Sequence, residues 1–285
     1  MNLTKKLAVF LLTLAIAFSS FSFATVDTQA AAKTKTTTNV YDSKTGVCYP
    51  TKIRVGVNNT SNFSTYIHLL NEGDYVASVK TSSSKLIAKL TRKTVCTGNS
   101  YVSAELDGEE SPKFKSRYGI AFYATKKGTY TATVTIKNKK KKTVCKKKIT
   151  VYVDDQYSAI RSVKYAGKEF YSYLVTNKKS GTFTVSMSKG YKLEKIELGT
   201  YADGKKYEEY SPEPEYKTIK NKQKINLATS TKYTSGANSY EGTWYSYKSG
   251  YECDYLLPVT FVKVTYKDKK LGITRTEEYQ LFYEN

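Results

Sequence analysis

Apolar and polar residues alternate with a period of two over most of this chain, which is the pattern of strands that bury one face. The alternation is clearest between Tyr118 and Val153, where Ile120, Phe122 and Ala124 are followed by Tyr130, Ala132, Val134 and Ile136, and then by Ile149, Val151 and Val153. Three consecutive strands joined by two turns predict a β-meander there. Upstream, Ile53, Val55 and Val57 predict a strand that stops at the polar cluster 58–62, and Tyr75, Ala77 and Val79, then Leu86, Ala88 and Leu90, predict two more. Val95–Val102 adds a further strand, whereas Tyr66–Leu70 has no period that assigns its type. Downstream the same grammar returns at Val163 and Tyr165, at Phe183, Val185 and Met187, at Leu193, Ile196 and Leu198, at Ile225 and Leu227, at Val262, Val264 and Tyr266, and at Tyr279, Leu281 and Tyr283. No helix-period segment of useful length interrupts it. The expected fold is all-β, two tandem immunoglobulin-like β-sandwiches over residues 39–154 and 155–285, divided at the short polar junction Asp154–Ser158.

The turn before Tyr130 has its own mechanics. In immunoglobulin-like sandwiches the corner into the sixth strand carries Gly or Ala, one further residue, and a Tyr whose hydroxyl bonds back to the corner; the Cys of the inter-sheet bridge follows two residues later. Gly128 and Tyr130 fit this order, and Ala132 stands where the Cys would be. The segment Tyr118–Val153 resembles bacterial immunoglobulin-like domains, which lack that bridge and carry a lysine-rich hairpin before a closing "ITV" strand. Tyr75–Leu90 resembles the middle strands of that family more loosely. The resemblance implies the fold of secreted or cell-surface modules and assigns no site residue, because the family shares no catalytic or ligand motif. Cys145, in the closing strand, departs from its pattern.

Ahead of the strands, Lys5 and Lys6 precede an apolar run, Leu7–Phe18, interrupted only by Thr13 and ended by Ser19 and Ser20. Residues 1–30 therefore read as a signal peptide, too short in its apolar part to span a bilayer comfortably, with an uncleaved anchor as the alternative. Residues 31–38, rich in Lys and Thr, read as a mobile linker. No second apolar stretch follows, so no transmembrane segment is expected in the mature chain, which would be released or held at the cell surface by non-covalent contacts.

Composition sharpens this picture. The 285 residues include 27 Tyr and 11 Phe, a β-favouring usage, and carry a formal net charge of +21. Such an excess attracts polyanions over long range. Export argues against intracellular nucleic acid and turns the expected partner into a cell-wall polymer, a glycan or an extracellular protein. Nothing in the sequence sets an oligomeric state. Cys48, Cys96, Cys145 and Cys253 are widely spaced, without a metal-binding pair motif; a Cys48–Cys145 bridge is the pairing expected of a first and a last strand.

Candidate chemistry is sparse. His68 is the only His and stands among apolar neighbours; Glu105, Asp107, Glu109 and Glu110 crowd one turn and read as a solvated acidic loop. No catalytic residue, metal ligand or cofactor follows from either, and a non-enzymatic protein is expected. Two stretches suit binding. Lys139, Lys140, Lys141 and Lys142, with Lys137 and Lys146–Lys148 around them, make a positive turn that could grip a phosphate-rich polymer, or could simply protect a sheet edge. In Tyr233–Tyr255, Tyr240, Trp244, Tyr245, Tyr247 and Tyr251 stand among Ser, Gly and Asn, a mixture suited to recognition; the same aromatics could instead fill the second core. The function expected is a secreted or cell-surface binding or adhesion module. The alternatives are a secreted carbohydrate-active or peptide-modifying enzyme and a structural spacer.

Overall fold

The computed structural model describes residues 34–108, 110–155, 158–207, 212–236, 238–241 and 246–284, with the backbone alone at 238–241 and 246–249. The expected signal peptide lies outside the described residues. Residues 35–285 form one compact unit. The protein is all-β, with no helix among the described residues, and so none that could cross a membrane.

Nine strands enclose a first hydrophobic cluster. In chain order they are β1 (Asn39–Asp42), β2 (Val47–Pro50), β3 (Lys52–Gly56), β4 (Thr65–Leu69), β5 (Tyr75–Thr81), β6 (Leu86–Val95), β7 (Ser116–Ala124), β8 (Gly128–Lys137) and β9 (Thr143–Asp154). One sheet has the order β1-β2-β4-β7-β6 and the other β3-β9-β8-β5. Without its outermost hairpin strand, the first sheet is the four-stranded sheet of an immunoglobulin-like sandwich. The second is the three-stranded sheet, extended by β3 running parallel to β9. Ile67, Ile120 and Phe122 from one sheet meet Val134, Ile136, Ile149 and Val151 from the other, all essentially inaccessible to water.

The meander expected over Tyr118–Val153 does not form. β8 and β9 pair as a hairpin, but β7 pairs with β4 and β6 in the opposite sheet, so the chain crosses the sandwich between Ala124 and Gly128. That crossing is the corner anticipated at Gly128 and Tyr130: the Tyr130 hydroxyl donates to the Lys126 carbonyl at 2.9 Å. Period-two alternation identifies strands and their buried faces but is silent about which sheet they join. Two further expectations change. Tyr66–Leu70, unassigned from its pattern, contains a central strand, and of Val95–Val102 Val95 only ends β6, while Val102 forms a single bridge to Phe114. The segment 97–114 instead folds over the outside of the sheet and closes a small cluster of Cys48, Ala104 and Phe114.

The same packing rules out the expected Cys48–Cys145 bridge. The chain changes sheets between Pro50 and Lys52, so β3, not β2, lies beside the closing strand β9. Cys48 is enclosed in the small outer cluster while Cys145 packs against the main one, and all four cysteines are free thiols. Burial pushes the Cys48 thiol up to about 12, which keeps it protonated and unreactive. The linker reading also fails at its C-terminal end. Asp107 accepts hydrogen bonds from the backbone of Thr36 (2.6 Å) and Thr37 (3.0 Å), and Thr37 and Thr38 are buried.

A second hydrophobic cluster is enclosed by β10 (Ile160–Tyr165), β11 (Lys168–Phe170), β12 (Tyr173–Thr176), β13 (Ser180–Met187), β14 (Tyr191–Thr200), and strands that follow a short β15 (Lys205–Lys206). These are β16 (Glu215–Ile219), β17 (Lys224–Asn226) and, after an interruption, β22 (Val259–Asp268) and β23 (Ile273–Tyr283). The sheets are ordered β11-β10-β13-β17 and β12-β23-β22-β14-β16, with β12 parallel to β23 as β3 is to β9. The interruption, between β17 and β22, holds β18 (Lys232–Thr234), β19 (Asn238–Glu241), β20 (Ser246–Ser249) and β21 (Glu252–Asp254). It occupies the place where the first cluster has its tight corner.

One arginine joins the two clusters. Arg54 on β3 donates from Nε (3.0 Å) and Nη2 (2.8 Å) to the two carboxylate oxygens of Asp268 at the end of β22, pairs with Asp154 at the end of β9, and lies 4.7 Å over the ring of Tyr191. Asp268 also accepts from the backbone of Lys270 and Leu271, which fixes the β22–β23 turn, and the Lys35 carbonyl accepts from Thr274 of β23. Both carboxylates are nearly enclosed. Truncating one member of such a pair leaves buried charge uncompensated, at a cost of about 3–5 kcal/mol. Arg54→Ala should lower unfolding free energy by that order in a urea titration, and Arg54→Lys should recover little of it because an ammonium cannot reproduce the fork. A loss under ~1 kcal/mol would show that the junction does not depend on it.

Candidate ligand-binding site

The lysine-rich turn is a tight hairpin tip. Asn138 organises it: its backbone exchanges hydrogen bonds with Lys141 and Lys142, and its side-chain oxygen accepts from the backbone of Lys140 (3.0 Å) and Lys142 (3.1 Å). Lys141 adopts a left-handed backbone (φ 60°) to close the turn. With the backbone tied this way, Lys139, Lys140, Lys141 and Lys142 are all exposed, and none forms an ion pair among the described residues.

The remaining lysines of the stretch behave differently. β3 covers β9 only from Thr150 to Asp154, so Thr143–Ile149 forms an open edge, and Lys146 and Lys148 are exposed along it. Edge protection accounts for these two but not for the four at the tip, which lie beyond any strand. Lys147 is no surface charge at all. It is buried against Tyr49, 5.3 Å above the ring, and pairs with Asp42. Hydrogen bonds from Lys147 and Thr45 hold the Asp42 carboxyl down to about 2.

The aromatic stretch separates into a core part and a part whose side chains are not described. Trp244 and Tyr245 lie outside the described residues. Tyr240 and Tyr247 stand opposite one another in the β19–β20 hairpin, where the backbone alone is described. Tyr251 is 37% exposed and meets Tyr233 edge-on at 6.5 Å. Tyr233 itself is buried, stacked on Tyr201 at 4.4 Å and edge-on to Tyr207 at 5.7 Å, over the small sheet β15-β18-β21. Burial pushes its phenol far above the ordinary range. Tyr233 thus fills a local aromatic core, while Tyr251 borders solvent. Tyr201 and Tyr207, from the β14–β16 connection, and Tyr216, from β16 itself, escaped the sequence reading because they are remote in the chain. Tyr216 lies flat across Gly199, its cross-strand partner, and beneath Lys263 at 4.0 Å; a Cβ at Gly199 would collide with the ring.

The residues considered for catalysis have structural roles. His68 is buried with no partner at Nδ1, and burial followed by the nearby charge of Arg117 pushes its imidazole down to about 4, so it is neutral across the physiological range. Asp107, although desolvation pushes it up, is held below its usual value by its bonds to Thr36 and Thr37. Glu109 lies outside the described residues. Among the described residues no three His, Cys, Asp or Glu side chains are grouped to hold a metal ion.

No family model matches this sequence, and no curated protein does. Among solved structures it is similar to fibronectin(III)-like modules of CbhA from Clostridium thermocellum, with 12% identity, 82% of this chain and 90% of that one covered, and a TM-score of 0.28. It is also similar to the CFA/I adhesin CfaE of enterotoxigenic E. coli, with 9% identity, 89% and 87% coverage and a TM-score of 0.18. The C-terminal domain of the AgI/II polypeptide BspA from Streptococcus agalactiae shows 11% identity, 76% and 83% coverage and a TM-score of 0.18. Scores this low carry no function to this chain, and the strand order and the Tyr130 corner stand on their own geometry.

The pH dependence of stability follows from His68 and Asp42. The folded state holds each below its unfolded value, so each contributes stability that is lost as pH falls: His68 between its unfolded value near 6.5 and about 4, Asp42 between its unfolded value near 3.8 and about 2. Melting temperature measured against pH should decline in these two windows. His68→Phe should remove the upper one, and Asp42→Asn should make the lower one shallower, Asp107 still contributing there; an unchanged profile in either variant would remove that residue from the account.

Proposed function

We propose that this protein is a non-enzymatic binding or adhesion module, secreted or held at the cell surface, that recognises an anionic polymer or glycan through its basic surface. In this reading residues 39–154 and 155–285 are two immunoglobulin-like domains, meeting at Arg54, and residues 1–30 direct export. The observation that carries it is the tip Lys139–Lys142: four exposed ammonium groups on a closed turn, without a carboxylate partner among the described residues and without an edge to protect. Exposed cations left unpaired in a chain of net charge +21 stabilise nothing locally and produce a field that concentrates polyanions. The aromatic stretch with Tyr240, Trp244, Tyr245, Tyr247 and Tyr251 supplies a second contact surface in the same reading, with rings suited to sugars or to a protein partner.

The test is binding of the mature chain to isolated cell wall and to soluble anionic polymers across a salt series. Affinity should fall steeply between 50 and 500 mM salt, about the range over which the screening length shrinks below contact distances between exposed charges. Replacing Lys139–Lys142 together by Gln should weaken low-salt binding by about tenfold or more, since four exposed contacts at about 0.5 kcal/mol each exceed the ~1.4 kcal/mol that makes a factor of ten. Absence of binding to every anionic polymer at low salt would overturn the reading.

A further inference from the structure

The outer face of β4-β7-β6 carries two arginines without carboxylate partners. Register sets two adjacent rows across these strands: Tyr66, Gly119 and Arg92 in one, His68, Arg117 and Thr94 in the next. A bulge between Leu90 and Arg92 shifts β6 so that Arg92 faces Gly119. Gly119 lacks a side chain, and the Tyr66 ring and the Arg92 stem close over it; a Cβ there would lie 3.1 Å from the Arg92 Cβ. Arg92 Nη1 donates to the Tyr66 hydroxyl at 3.3 Å, and the Arg117 guanidinium lies 5.1 Å from the Tyr66 ring centre. Phe63 extends the ring surface, 5.0 Å from Tyr66 and 5.8 Å beneath the Arg92 guanidinium.

Neither guanidinium is paired with a carboxylate among the described residues, in contrast to Arg54. Arg117 Nε and His68 Nδ1, in the same row, are buried and have no hydrogen-bond partner. His68 is neutral, so it does not compete for an anion as a third cation would, nor does it neutralise Arg117. Arg92 is exposed and Phe63 is 41% exposed, so part of a guanidinium and part of a ring reach solvent side by side.

We infer that Phe63, Tyr66, Arg92 and Arg117 form a binding site for a carboxylate-bearing sugar unit of an acidic polysaccharide. A guanidinium pre-oriented on a ring presents its donors as a fork that matches a carboxylate in two bonds. The solvent-exposed part of the Phe63 ring beside it offers dispersion contact to the C–H face of a pyranose ring. Two guanidiniums and one partly exposed ring fit one charged sugar; a single-stranded nucleic acid would call for successive exposed rings along a basic groove. The inference rests on the proposed polymer-binding function and locates a specific contact within it, apart from the lysine tip.

The test uses the full mature chain and its variants against polygalacturonate, neutral dextran and polyphosphate in affinity electrophoresis. Polygalacturonate should retard the native chain and dextran should not. Arg92→Gln and Phe63→Ala should each weaken polygalacturonate binding about tenfold, and Phe63→Ala should leave binding of polyphosphate, which has no sugar ring, unchanged, with circular dichroism confirming that each variant is folded. Arg92→Lys should behave as Arg92→Gln, because the fork and not the charge is used. Native-like polygalacturonate binding by Arg92→Gln and Phe63→Ala, with loss only on replacing Lys139–Lys142, would overturn this site and leave the wider function standing. Failure of the native chain to bind any of the anionic polymers would overturn both.

Discussion

The structure turns on the scarcity of carboxylates. Against 46 Lys and Arg the chain has 25 Asp and Glu, and the most enclosed of these are committed to holding the fold. Asp268 and Asp154 receive Arg54 and join the two hydrophobic clusters; Asp42 receives the buried Lys147; Asp107 ties down the segment ahead of β1. The pairings of Asp268 and Asp154 with Arg54 are made where desolvation strengthens them; those of Asp42 and Asp107 lie nearer the surface. Other carboxylates pair with lysines at the exposed surface, as Asp155 does with Lys127 and Glu215 with Lys205. The bases outnumber the acids by 21, so a large positive excess faces water however the acids are placed.

Arg54 shows why the identity of a basic residue matters on such a background. Lysines dominate the basic residues, and Lys139–Lys142 present point charges without the directional fork of a guanidinium. The chain has five arginines, and three of them lie stacked on rings: Arg54 on Tyr191, Arg92 on Phe63 and Arg117 on Tyr66. The first is closed by two carboxylates and is a structural joint. The other two have the same stacking and, among the described residues, no carboxylate partner.

The strands and the Tyr130 corner were legible in the sequence because both are local. Alternation over ten residues reports a buried face, and Gly128 to Tyr130 spans a single turn. The corner even contained the information that overturned the meander, since a tyrosine corner exists where the chain changes sheets; alternation alone invited β7 to pair with β8. β4 was hidden for a physical reason. Its outward residues Tyr66 and His68 are covered by Phe63, Phe114 and the 97–114 segment, so both faces are apolar and the period vanishes. Thr37 and Thr38 are buried although their composition reads as linker, because Asp107, some 70 positions away, supplies the hydrogen bonds.

Sites assembled across strands were the least legible. Phe63, Tyr66, Arg92 and Arg117 have no motif spacing; what brings them together is the pairing of β4 with β7, the bulge in β6 and the absence of a side chain at Gly119. The aromatic stretch left a surface and a core reading open, and among its described side chains Tyr233 is committed inward against Tyr201 and Tyr207. A linear cluster of one residue type measures concentration in sequence, and the hairpin lysines carry the same lesson: Lys147 is buried, Lys146 and Lys148 guard an edge, and only the tip is free. Recognition requires side chains that are both exposed and held, and in this protein the groups meeting both conditions are the ones whose backbone is locked by a turn or whose charge rests on a ring.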